Sequence, residues 1–466
     1  MTARLLRLEL RRNAMVWMLP LLGLLFWLVA FRRGVAYPPL WNIRATSMQT
    51  AAVSVFAPSV VGVAAWIGSR EGRHGMTGLL TSTARPRWAR QVVAWAATTC
   101  WALLAYLVCV GVLYGVTAAQ GAWGGPLWWP AIVGAASLPA FAAAGFAAGA
   151  LRPSRLTAPV AAVGVFLALQ LTVQLIHGDR SHWQISPLVA NPWNLGADQG
   201  VATFYRYLPD LPIAQLLFLA GCTAALLGVV GLPAGSGGPW LRRSAAAVTA
   251  AGLLAAGSAA ALAGTARIDP HGMVAIPVLH RAADDRPVPY TPICEGTPVP
   301  VCLHPAYAVY LPAAVEALAP VLDAVAGLPG APVRVTQAAT TYRSGPGGIG
   351  VARAGEAWSR TPTEYRLLLP SQLPGRTLTL EQVAAAVRAD AGHDIVASVI
   401  GAARDATPAQ DAVVAALLGT PASVTDPDAA AAAQRLAALP PDARRAWLAE
   451  HLDALRAGTL TVEQLP

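Results

Sequence analysis

Seven apolar runs, each close to the length a helix needs to cross a bilayer, constrain this chain more than any motif in it. They cover residues 14 to 31, 50 to 68, 92 to 118, 126 to 150, 157 to 176, 212 to 232 and 244 to 264. About 20 residues of α-helix span the ~30 Å hydrocarbon core, and a helix satisfies its own backbone polar groups there. At 55% hydrophobic and 12% charged, the chain is too apolar for an ordinary soluble enzyme. It reads as a polytopic α-helical membrane protein with about seven spans in residues 1 to 265, followed by a soluble α+β domain in residues 266 to 466.

The charges divide in the same way. Residues 1 to 266 carry 18 Arg against 5 acids, and residues 267 to 466 carry 15 Arg against 19 acids. Arginines in the first part punctuate apolar runs instead of clustering on one soluble face, which speaks for a lipid bilayer and against nucleic acid. With the amino terminus cytoplasmic, the inner segments hold 13 Arg against 5 in the outer ones, as the positive-inside rule favours. The first run follows Arg4, Arg7, Arg11 and Arg12, and no small-residue cleavage site closes it, so it reads as a retained span. Arg32 and Arg33, just past that span, oppose the rule and read as side chains snorkelling to headgroups, with an anionic ligand as the alternative. Trp123, Trp128 and Trp129 gather at one expected membrane boundary.

The same orientation puts everything after residue 265 outside. Cys100, Cys109 and Cys222 fall in spans, whereas Cys294 and Cys302 lie close together in the outer domain, where an oxidising compartment joins them as a disulfide. A zinc site combining them with His280 and His304 is the competing reading. The chain has no lysine, hence no phosphate loop, and neither an HExxH nor a GxSxG signature. No enzyme activity, catalytic residue, metal or cofactor is therefore expected of the chain. The pairs His393-Asp394 and Glu450-His451 read as solvated helix surface.

Residues 69 to 91, between the second and third runs, carry five arginines. The spacing predicts a short helix over Met76 to Thr81, stopped at Arg85-Pro86, with Glu71 and Arg73 before it and Arg87 and Arg90 after. Gly72, Gly75 and Gly78 weaken it, each by up to about 1 kcal/mol relative to alanine. This stretch resembles the first cytoplasmic loop of ABC exporter permeases of the type-two class, in its acidic residue, short helix, proline turn and basic residue leading into the next span. The leucine- and arginine-rich residues 2 to 12 are similar to the amino-terminal interfacial helix of that family. The resemblance implies that Glu71, Arg73, Leu79, Leu80, Arg85 and Arg87 couple the spans to a separate ATPase subunit, in a homodimer or paired permease of a bacterial plasma membrane. Arginines that only set topology are the simpler reading of the same loop.

Other features fit this frame. Gln170 and Gln174 share a face of the fifth span and either line a polar pathway or serve as interhelical hydrogen-bond glue. Gly145 and Gly149, and the series Gly252, Ala256, Ala260 and Gly264, permit close helix contact, within the chain or across a dimer. Pro139 is expected to kink the fourth span, and for residues 177 to 211, whose composition suits half-buried interfacial structure, the resemblance implies a re-entrant hairpin. In the outer domain, Tyr307 to Leu328 has helical amphipathic period, Pro332 to Gln337 and Glu364 to Leu369 read as strands, and capping boxes stand at Thr379, Thr407 and Thr461. Trp447 to Thr461 is similar to the soluble tails of actinobacterial membrane proteins of the permease type. Two functions compete: a non-catalytic export permease, and a membrane-anchored extracytoplasmic sensor or binding protein without transport activity.

Overall fold

The computed structural model describes residues 2–73, 75, 86–175, 203–233, 238–269, 271, 273–340, 342–345, 348–351, 364–370, 378–402 and 406–466. They form two compact units, Met1–Val288 with Tyr342–Gly350, and Pro289–Thr341 with Val351–Pro466.

The first unit is helical. Amphipathic α1 (Thr2–Arg12) meets α2 (Met15–Phe26) at Asn13, whose Oδ1 accepts from Met15 N at 2.9 Å and whose Nδ2 donates to Thr98 Oγ1 at 3.1 Å. A bend of 54° separates α1 from the segment Met15–Phe31, which ends in a π-helical turn over Trp27–Phe31. Next come α3 (Trp41–Gly68), the single turn α4 (Arg70–Arg73), α5 (Arg87–Ala119), α6 (Trp128–Leu151), α7 (Thr157–Leu175), α8 (Asp210–Gly231) and α9 (Pro239–Ala263). A two-stranded antiparallel ribbon, β1 (Arg267–Ile268) and β2 (Val274–Ala275), follows α9.

Small residues set how closely these helices approach. A Cβ on Gly145 of α6 would lie 2.3 Å from Val61 O, and one on Gly149 would lie 2.2 Å from Ala65 O, so α3 and α6 touch backbone to backbone. The expected glycine pair thus acts within the chain. Helices α8 and α9 make the same kind of contact, with Gly221 against the backbone of α9 and Gly252 against that of α8. The face of α9 differs from the expected one: Gly252, Ala256, Ala259 and Ala263 are buried, while Ala260 and Gly264 are exposed. A run of strict four-residue steps drifts off a helix face, and a three-residue step restores it.

Six described helices are long and apolar enough to cross a bilayer, or seven if the bent pair is one span. Pro305–Val325 is among the six, yet only Leu311–Val325 is α-helical, the rest being 3-10, and 15 residues rise ~22 Å, short of the bilayer core. Its Leu311, Leu318, Val321, Leu322 and Val325 are buried, and Glu316 and Asp323 are exposed, as in a helix on a soluble core. Helix α7 supplies the fifth expected run, its apolar stretch Thr157–Leu171 being shorter than the six. The helix of the second expected span begins at Trp41, not residue 50, because Arg44 lies inside α3 and does not interrupt it. Proline at 139 sits within an unbroken α6.

The second unit is α+β. Strand β3 (Ile293–Glu295) pairs antiparallel with β4 (Val301–Leu303), which pairs parallel with β5 (Arg334–Gln337), itself parallel to β8 (Glu364–Leu367). The parallel β4–β5 step needs a crossover, and α10 (Leu311–Val325) provides it. Strands β6 (Tyr342–Gly345) and β7 (Gly348–Val351), which apart from Val351 belong to the first unit, pair with each other. Helices α11 (Leu380–Val387), α12 (His393–Ile400), α13 (Pro408–Leu418), α14 (Pro427–Ala438) and α15 (Pro441–Arg456) complete the unit. Both expected strands, the amphipathic helix and all three capping boxes are present; the boxes at Thr379 and Thr407 open α11 and α13, and the third opens a 3-10 turn.

Candidate functional site

The sequence singles out residues 69 to 91, and their described part is anchored from several sides. Glu71 of α4 accepts from Arg87 Nε at 3.0 Å and from Arg90 Nε at 3.4 Å, which ties the end of α3 to the start of α5. Arg70 Nη2 donates to Glu9 Oε1 at 3.0 Å, joining α1 to the same corner. Arg73 lies 3.5 Å above the Trp66 ring centroid and donates to Trp66 O. A Cβ on Gly72 would lie 2.5 Å from Pro153 Cβ, so glycine is what lets α4 press on the turn after α6. Gly75 has φ of +64°, a left-handed conformation that ends this turn instead of extending a helix.

The same corner is held by indole donors. Trp101 Nε1 donates to Leu10 O at 2.9 Å and Trp88 Nε1 to Leu227 O at 2.8 Å, so α5 binds both α1 and α8. The side chains of Glu71, Arg87 and Arg90 are 13%, 20% and 18% exposed, and pairs so shielded are screened less than surface ones. Glu71, Arg87 and Arg73 are thus brought together at one end of the bundle. Leu79, Leu80, Arg85 and the expected helix over Met76 to Thr81 lie outside the described residues, as does most of the expected hairpin over 177 to 211.

Elsewhere the predicted residues separate. Gln170 Nε2 donates to Ser54 Oγ at 3.2 Å, an interhelical bond between α7 and α3; the Gln174 side chain lies outside the described residues. Cys294 and Cys302 are directly opposite across β3 and β4 and are joined as a disulfide, so neither is a thiolate ligand for zinc. His304 is fully buried; its Nδ1 accepts from Ala306 N and its backbone N donates to Gln337 Oε1. Burial pushes its pKa down to about 4. His280 sits between two carboxylates, 3.7 Å from Asp210 and 3.2 Å from Asp285.

Two residues escape the sequence reading. Arg44, assigned to an outer loop, is buried in α3, with Nε on Thr117 Oγ1 and Nη2 on Tyr37 O and Gln120 Oε1. Neutral oxygens take the place of an acid there, and no spacing rule reveals them. Gln91 of α5 is also buried and lines a cavity of about 340 Å³ beside the anchored corner. No known protein family, no curated protein and no solved structure matches this chain.

Proposed function

We propose that the chain is the membrane-spanning permease subunit of an ABC-type exporter, coupled to a separate ATPase through residues 69 to 91. The observation that carries this reading is the convergence of α1, α4 and α5 on Glu71, Arg70 and Glu9. Force from a partner reaches the spans only through a projection that does not deform, and this corner is fixed to α3, to α5 and to the amino-terminal helix at once. The charge distribution supports the corner being cytoplasmic and the disulfide-bearing unit being outside. With no phosphate loop in the chain, nucleotide belongs to the partner.

Because Glu71 is held by Arg87 and Arg90 within the chain, Arg73 and Arg85 serve as the probes of the partner. Purification in mild detergent is expected to bring down an ATPase with the wild-type chain, and Arg73→Glu with Arg85→Glu to reduce its recovery while the protein stays inserted. Unchanged recovery and unchanged hydrolysis in that double variant remove the coupling role. Absence of any ATPase, with an outer-compartment reporter active after Pro466, transfers the assignment to an extracytoplasmic sensor.

A further inference from the structure

The cavity beside the anchored corner has a mixed lining that the coupling role does not use. Glu9 and Glu71 face it with Arg70 and Arg90, paired as Arg70 with Glu9 and Arg90 with Glu71, and Arg87 adds a further guanidinium on Glu71, so the wall presents both signs of charge. Gln91 adds an amide, and neither its Oε1 nor its Nε2 has a hydrogen-bond partner, although the residue is only 5% exposed. A buried amide with both ends unmet is costly, and a ligand offering both a donor and an acceptor relieves it. Phe146 belongs to the apolar part of the wall.

Position narrows the ligand. Gly68 closes α3, Arg90 and Gln91 lie in the first turns of α5, and α1 is an amphipathic helix crossing these ends. The cavity is therefore at the depth of lipid headgroups, and its volume of about 340 Å³ is at the small end of ligand sites. We propose that it binds a zwitterionic phosphoethanolamine group, with its ammonium on Glu9 and Glu71, its phosphodiester on Arg70 and Arg90, and Gln91 completing the hydrogen bonds. A primary ammonium donates to carboxylates, which a quaternary ammonium cannot do. This proposal does not depend on an ATPase partner.

Native mass spectrometry of the full chain, released from nanodiscs with equal parts of ethanolamine, choline and glycerol phospholipids, tests it. An ethanolamine lipid is expected to be retained, and Glu9→Gln and Gln91→Leu are each expected to lower its occupancy roughly tenfold. Equal retention of all three lipids, preference for the anionic glycerol lipid, or occupancy untouched by both substitutions overturns the proposal. Glu9→Gln alters only one edge of the site and keeps the test decisive if Gln91→Leu does not fold. Added glycerophosphoethanolamine separates the sources: displacement of the lipid assigns the site to the headgroup alone, and persistence assigns it to the intact lipid.

Discussion

Helix α9 of the first unit and helix α15 of the second bury opposite things. The buried face of α9 is Ala245, Gly252, Ala256, Ala259 and Ala263, while Leu253 and Leu254 are 61% and 72% exposed. The buried face of α15 is Leu448, Leu452 and Leu455, and Asp442, Glu450 and Asp453 are exposed. A soluble helix gains by taking large apolar groups out of water. In lipid that gain is absent, so packing and close approach decide which face turns inward, and small residues win. The two units are therefore stabilised by different physics, and substitutions should expose the difference.

The largest effect is expected where backbone meets backbone. In Gly149→Leu the new side chain begins 2.2 Å from Ala65 O, so α3 and α6 must separate along the contact. Overpacking ordinarily costs ~1–3 kcal/mol, and a clash with rigid backbone belongs at or above the upper end. Loss of monodisperse protein on size exclusion in mild detergent checks it. Gly257→Leu on α9, whose Cβ meets nothing within 4 Å, is the control expected to leave the profile unchanged.

How far the fold was legible follows from the same contrast. Hydropathy marks a span whatever its neighbours do, so the seven apolar runs were readable. The capping boxes and strands of the second unit were readable too, because local chemistry specifies them. Hydropathy failed at Arg44, since one charge buried among Thr117, Gln120 and a carbonyl looks in sequence like the end of a span. It also misplaced the α9 face, because alanines at 256, 259 and 260 are alike in composition and only packing distinguishes them. The anchored corner was half legible: Glu71, Arg87 and Arg90 stand out as charges, but their pairing across the loop, the Trp66–Arg73 stack and the Gln91 cavity are tertiary facts.

Acid should separate the units next. His304 is buried and takes a proton only near pH 4, against 6.5 for a free histidine. Between those values the unfolded chain binds more protons, so this contribution is complete above about pH 6.5 and is lost as pH falls toward 4. The full loss is about 3 kcal/mol and belongs to the second unit alone. Thermal unfolding of the full chain from pH 7.5 to 4.5 is expected to move the transition of this unit, and His304→Gln to flatten that part of the dependence. A slope unchanged in the variant would assign it to carboxylates.

The disulfide ranks just below. Cys294 and Cys302 are eight positions apart, and closing so short a loop stabilises by ~2–3 kcal/mol through the unfolded state. Replacing both with serine is expected to lower the same transition and leave the helical unit unmoved. Equal shifts in both units would mean that they unfold together, which would break the comparison itself.

The smallest effect is expected at Glu71, and it compares charge pairs directly. Glu71→Gln leaves Arg87 and Arg90 facing an amide that still accepts a hydrogen bond but no longer balances their charge. Exposed pairs contribute about 1 kcal/mol or less, and these side chains are mostly shielded, so a loss near 1 kcal/mol is expected. Arg445 and Asp442 of α15 are the counterpart: 3.7 Å apart, with Asp442 97% exposed, they should give no measurable change in Asp442→Asn. Thermal midpoints of the two single variants check the ranking. The proposed coupling role adds a second readout, because a corner that only holds helices together loses stability alone. A corner that passes force also loses ATPase stimulation, by more than its stability loss accounts for. Equal hydrolysis in Glu71→Gln and wild type, at matched insertion, would leave the clasp as packing and nothing more.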